Sequence, residues 1–184
     1  MAHRSRPGPL PLNAKEEAFL RAFGRAILTV PRALDADLLR EQGMSMSEYS
    51  ALMFLSEAPR RRLRMGDLAL VSALSLSGMS RIVDRLEGRS LVRRERCSND
   101  ARGWEAVLTD AGFERLQQAW PTHLASVRRH VIDHVQSLDL PAVTAALQRF
   151  ADEPQLAVQQ DPDETPDRYH ASPRTSVAVR LAGH

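Results

Sequence analysis

Apolar positions recur at helical spacing along most of this chain and alternate like strands in only one short stretch. Met79, Ile82, Val83 and Leu86 fall at i, i+3, i+4 and i+7, which predicts an amphipathic helix over Leu76–Glu87. Ser75 and Ser77 are candidate N-caps ahead of it, and Gly88 to Ser90 ends it. Leu91–Arg96 reads as a short basic strand, SNDARG (98–103) as a turn, and Trp104–Leu108 as the returning strand. Upstream, Met65–Ala73 predicts a short helix, and Tyr49, Leu52, Met53 and Leu55 another over Ser47–Ala58. At the N-terminal side, Phe19, Phe23, Ala26, Ile27 and Val30 set up a long helix over Asn13–Arg40, which Pro31 should kink or interrupt. Beyond the hairpin, Thr109 is placed to cap a helix whose stripe of Phe113, Leu116, Trp120, Leu124, Val127, Val131 and Val135 passes Pro121. A last helix begins near Ser137 or Asp139, with Leu140, Val143, Leu147 and Phe150 facing inward.

A helix pair followed by a basic hairpin is the pattern of a winged helix-turn-helix. Charge sharpens that reading. The whole chain carries a net charge of only +2, but residues 60–102 hold eleven arginines against five acids. A localised basic segment is the electrostatic footprint of phosphate binding. On the predicted recognition helix, Ser77, Ser80, Arg81, Asp84 and Arg85 lie opposite the apolar stripe. Arg81 is the leading base reader, because a forked guanidinium pairs bidentately with guanine. Ser77 and Ser80 are expected to reach bases or phosphates, and Arg85 the backbone, unless it pairs with Asp84 or Glu87. The basic run Arg60–Arg64 leads into a very short strand and offers Arg64 to the DNA backbone; its bland reading is an exposed turn.

The wording of this region resembles the MarR family of bacterial transcription regulators. The resemblance rests on Leu68–Ala69, on SRIVDRLEGRSLVRR, on Asn99–Gly103, and on Leu108-Thr109 with Gly112, and it spans roughly residues 15 to 150. One departure is Ser90, where the family has a glycine suited to a left-handed backbone. The resemblance implies a mainly α fold: a winged helix-turn-helix with N- and C-terminal dimerisation helices and a two-stranded β wing. With a Pro-rich start read as a flexible arm (1–12) and a Pro-, Gln- and Asp-rich end read as a disordered tail (153–184), it divides the rest into an N-terminal dimerisation region (13–44), a DNA-binding region (45–109) and C-terminal dimerisation helices (110–152). It also implies that Arg102 at the wing tip enters the minor groove, with Asp100 orienting neighbouring arginines. The implied protein is a cytoplasmic homodimer on palindromic double-stranded DNA, usually a repressor released by a small aromatic effector. Phe23, Tyr49, Met53 and Phe113 are candidates to line the effector cleft, with core packing as the competing role.

Other chemistry finds less support. No transmembrane-length apolar run occurs, and no phosphate-binding glycine loop, G-x-S-x-G or H-E-x-x-H motif points to an enzyme or a cofactor. His130 and His134, with His123 two turns earlier, have metal-compatible spacing but no ligand set to join, so no metal is expected. Cys97 beside Arg96 is read as a passive strand cysteine rather than a redox sensor. The alternatives left open are a metal- or redox-responsive regulator and a sequence-independent DNA-coating protein.

Overall fold

The computed structural model describes residues 10–97 and 100–152. Most of the expected arm, the wing residues Ser98 and Asn99, and the 153–184 tail lie outside the described residues. Capping chemistry sets where the helices begin. Asn13 accepts from the backbone N–H groups of Lys15 and Glu16, and the Glu16 carboxylate accepts from Asn13 N–H, opening helix α1 (Ala14–Gln42) with a capping box. Contrary to the expected interruption, α1 stays helical through Pro31. The carbonyl that loses its partner belongs to Ile27, an exposed position, so water can replace the missing N–H. Ser45 and Glu48 form a second box at α2 (Met46–Glu57). Ser75 caps α4 (Leu76–Gly88), after α3 (Met65–Val71), and Thr109 caps α5 (Asp110–Val127).

The sheet has three strands, the expected two-stranded wing and the very short strand that follows the basic run. β1 (Arg62–Arg64) pairs antiparallel with β3 (Asp100–Leu108), which pairs on its other side with β2 (Val92–Cys97). Three residues are too few to hold a strand by themselves; the ladder to β3 makes β1 one. After α5, a π-helical turn (Arg128–Ile132) and a short helical turn, α6 (Asp133–Val135), lead to α7 (Leu140–Asp152).

One core unites these elements. Leu38 from α1, Tyr49, Leu52 and Leu55 from α2, Leu68 from α3, Met79, Val83 and Leu86 from α4 and Leu116 from α5 are all fully buried in it. Each such aliphatic side chain stabilises the fold by roughly 1.5–3 kcal/mol relative to exposure. By contrast, Phe19, Leu20, Ile27 and Leu28 on α1 and Leu140, Leu147 and Phe150 near the C-terminal end stay exposed in the single chain. Phe23 bridges the two groups, its ring 5.7 Å from Phe19 and 5.8 Å from Phe150.

Ser90 takes the left-handed conformation itself, at φ 59. Its N–H bonds Glu87 O, and Leu91 N–H reaches Leu86 O, so the recognition helix closes with a Schellman motif on a non-glycine residue. That strain is the motive for a prediction. Ser90→Gly is expected to raise stability by about 1 kcal/mol in urea denaturation, the left-handed penalty less glycine's extra chain entropy. A loss of stability instead would show that the serine side chain compensates its own strain.

Candidate nucleic-acid interface

The first turn of α4 is exposed and carries two serine hydroxyls, Ser75 at the cap and Ser77. Ser75 Oγ accepts from Gly78 N–H at 3.1 Å and lies 3.2 Å from Ser77 Oγ, so the Ser77 hydroxyl is coupled to the cap. Arg81, one turn on, is exposed and has no ion-pair or hydrogen-bond partner among the described residues. Ser80 is half-buried, because Arg94 from β2 holds it. The Arg94 guanidinium donates to Ser80 O at 3.1 Å and to Ser80 Oγ at 3.3 Å, and it pairs with Asp84 at 2.6 Å and Glu87 at 2.7 Å. One arginine thereby fixes the wing against α4 and pairs with both carboxylates on that flank of the helix.

Arg85 pairs with neither Asp84 nor Glu87. Its Nε donates to Glu48 Oε1 at 2.9 Å, tying α4 to the start of α2. Burial pushes the Glu48 carboxyl up, but the Ser45 backbone N–H and the Arg85 guanidinium outweigh it and hold the group below its usual range. Arg85 is therefore first a fastener of the helix. Arg64 is exposed where β1 meets α3. Asp100 and Arg102 sit on the β3 backbone at the wing; their side chains lie outside the described set.

The end of the recognition helix is locked to α5 through Leu91. Thr109 Oγ1 accepts from Gly112 N–H at 3.0 Å and donates toward Ser90 O and Leu91 O, while Thr109 N–H reaches Leu91 O at 3.1 Å. Gly112 packs on the same carbonyl so closely that a β-carbon there would lie 2.0 Å from Leu91 O. The Leu-Thr-x-x-Gly spacing thus encodes a backbone junction between the end of α4 and the start of α5.

Three of the four cleft candidates belong to the one core, Tyr49 within it and Met53 and Phe113 packed against it, and Phe23 stands apart with Phe19 and Phe150. Phe23 stacks with Phe19 and Phe150, Phe113 lies under the Arg61 guanidinium at 4.2 Å, and Met53 packs against the core edge. Tyr49 is buried and stacks on His123 of α5, centroids 4.4 Å apart. Tyr49 Oη and His123 Nδ1 are both buried without a hydrogen-bond partner. Burial pushes the tyrosine hydroxyl up and the imidazole down, so both stay neutral at pH 7. His130 goes elsewhere: its Nε2 lies 3.0 Å from Asp37 on α1, which also accepts from Ser126 at 2.7 Å, Arg40 at 2.6 Å and Arg129 at 3.2 Å. Ser126 and Arg40 hold the Asp37 carboxyl far below its ordinary range. Cys97 is buried at the end of β2. Among the described residues no group of three His, Cys, Asp or Glu side chains is arranged to hold a metal, and no single helix is long and apolar enough to cross a membrane.

Periodicity did not expose Arg94, whose partners lie 7 to 14 residues away on another element. It also passed over Leu76, which is 58% exposed at the first position of α4, and Trp104 on the wing. An apolar residue inside an otherwise polar helix start was the available signal for Leu76.

Comparison with known proteins places this geometry. The MarR family model matches residues 42–103. The structure of Sco3205, a MarR family transcriptional regulator from Streptomyces coelicolor in complex with DNA, matches with a TM-score of 0.75 and 36% identity, over 84% of this chain and 98% of that one. AbsC, another MarR family regulator from the same organism, matches with a TM-score of 0.71 and 38% identity, over 78% of this chain and 96% of that one. YkoM, an uncharacterized HTH-type transcriptional regulator of Bacillus subtilis (strain 168), is 31% identical over 111 residues, 59% of this chain and 69% of the relative.

Proposed function

We propose that this chain, which belongs to the MarR family of transcriptional regulators rather than to any class of enzyme, acts as a homodimer that reads a palindromic operator. The observation that carries the reading is α4: an apolar face fully committed to the core, a capped first turn, and an outward Arg81 that no described side chain neutralises. The uncovered apolar side chains of α1 and of the C-terminal helices support a dimer, because a second copy brings the same surface to the same place. Two α4 helices related by a two-fold axis would read half-sites about one helical turn, ~10 bp, apart.

In this reading Arg81 pairs with guanine, Ser77 and Ser80 contact the edge of the groove, and Arg64, Arg85 and Arg102 add charge along the phosphates and the minor groove, with Asp100 ordering the wing. Arg81→Ala is expected to weaken operator binding by roughly 1–3 kcal/mol and to relax preference at one base pair. An unchanged preference would mean that α4 enters the groove in another register. Leu76 is the apolar member of the same edge, and the thymine methyl is the apolar feature of the major groove. Replacing thymine by uracil through the half-site should weaken binding about threefold to fivefold at one or two positions, the worth of one buried methyl. The Leu76→Ala protein should be indifferent to the swap; equal sensitivity in both proteins would clear Leu76 of that role.

Repression is the sign of regulation we favour, since a dimer seated on an operator occludes whatever else binds there. Release by a small aromatic, hydrogen-bonding effector fits the α2–α5 boundary, where Tyr49 Oη and His123 Nδ1 lack partners. Such a ligand would act by preferring a dimer whose α4 spacing no longer matches the operator.

A further inference from the structure

The wing carries a large aromatic side chain that base reading leaves without a role. Trp104 is 42% exposed and stands outside the apolar core, whereas Trp120, the other tryptophan, packs against it. Arg96 lies directly across the ladder from Trp104, its Cζ 4.3 Å from the ring centroid. Side chains alternate between faces along a strand, so this pair shares its face with the Arg94–Ala106 and Val92–Leu108 pairs. Val92, Ala106 and Leu108 belong to the hydrophobic core that the helices share, whereas Val107 on the other face does not, so this is the face turned toward the helices.

The opposite face is occupied by an ion-pair network in which Arg62 meets Glu95 and Glu105. Along the inner face β2 therefore passes from the core at Val92, past Arg94 on the flank of α4, to the Arg96–Trp104 pair. Arg94 reaches Ser80 and Asp84, both on the outward side of α4, so the indole stands next in line beyond the edge that enters the groove. An indole in that position exposes apolar area that no described residue covers, and a guanidinium stacked on one ring face keeps it from folding away.

We propose that Trp104 is a DNA-contacting residue. Its indole packs on the deoxyribose rings of the strand bordering the groove that α4 enters, and Arg96 positions the ring for that contact. The partner is duplex DNA read through its sugar-phosphate backbone, so the contact sets affinity and register without selecting a base. The proposal rests on the reading of α4 as a groove-binding helix.

The test uses the full chain carrying Trp120→Phe, in which Trp104 is the remaining tryptophan. The probe is a duplex enriched from a random pool, and binding is followed independently by the anisotropy of a fluorescein label on a second sample. Trp104 emission should fall and its quenching by acrylamide should weaken in step with binding, both saturating at the anisotropy stoichiometry. Trp104→Ala should weaken operator and unrelated duplex alike, by about tenfold, as removal of a packed apolar surface does. Trp104→Phe should recover most of that loss, which a merely misfolded wing would not. Stoichiometric binding with unchanged Trp104 emission and unchanged acrylamide access overturns the contact while leaving the α4 reading intact. A protein that binds no duplex even at low salt removes the α4 reading and this contact with it.

Discussion

Gly112→Ala is expected to cost about 3 kcal/mol of folding stability or more, a large effect for one added methyl group. The β-carbon would lie 2.0 Å from Leu91 O, 2.9 Å from Leu91 C and 2.7 Å from a Leu108 methyl, and two of those three neighbours are backbone. Neither α5 nor the Leu91 carbonyl can yield cheaply. The same carbonyl receives Thr109 N–H, and the segment that bears it has just left the left-handed Ser90. Relief requires the first turn of α5 to move off the end of α4, which would also disturb the angle at which the recognition helix is presented. DNA affinity should therefore fall in the fraction of protein that still folds. Urea denaturation followed by circular dichroism checks the first effect; a change under 1 kcal/mol would mean that the junction is looser than its geometry.

The second large effect concerns Asp37. It is only 5% exposed, and it gathers Ser126, Arg40, Arg129 and His130 onto one carboxylate joining α1 to the α5 end. Asp37→Ala is expected to destabilise by about 2–3 kcal/mol, mostly by stranding the buried Ser126 hydroxyl and releasing the π-helical turn. The loss stays below that of a fully buried ion pair because Arg40 and Arg129 are more than half exposed and can turn to water. The pH dependence has a definite sign. The folded-state carboxyl is held below its unfolded value, so its contribution is complete above the ordinary aspartate pKa of ~3.9 and drains away as pH falls further. The stability gap between the natural chain and Asp37→Asn should accordingly be constant from neutral pH down to about 5 and narrow below 4. A gap that widens toward low pH would contradict the assignment of the charge to Asp37.

These two sites show what the sequence discloses and what it withholds. The 3.6-residue stripe of Met79, Ile82, Val83 and Leu86 is a local signal, and it returned the recognition helix to within one residue at its end. Ser75 and Thr109 were readable as caps for the same reason: the chemistry of a cap is complete within four residues. The Leu-Thr-x-x-Gly spacing was visible too, although its physical content, a glycine pressed on Leu91 O, needed the fold. For Arg85 the competing ion pair was sought at Asp84 or Glu87, and the partner it has, Glu48, stands 37 positions earlier, beyond any periodic pattern. Asp37 meets residues 89 to 93 positions away and carried no local mark at all. Pro31 signalled a break that a 29-residue helix with many other bonds absorbs. The place of Arg81 on the outward side of α4 was legible from the helix period, while the pairing of Arg94 with α4 and of Arg96 with Trp104 became visible only in the fold.

The same distinction explains the distribution of roles on α4. Ser80 looked like a base reader by position, yet the Arg94 guanidinium already engages its hydroxyl. The same contact anchors the helix to the wing, and Arg81 keeps the outward position. A specific reader needs such a division: side chains held in place by neighbours, beside one whose polar edge is left for the partner.

The measurement that bears most directly on the central reading is selection of this protein's preferred sites from a random duplex pool, followed by determining how many chains occupy the enriched DNA across a range of salt concentrations. The expected result is an inverted-repeat consensus with half-sites about 10 bp apart, occupied by two chains. Binding that collapses steeply with salt and enriches no sequence, or a consensus occupied by a single chain, would contradict a dimeric operator reader; the first of these would instead describe a protein that coats DNA by charge.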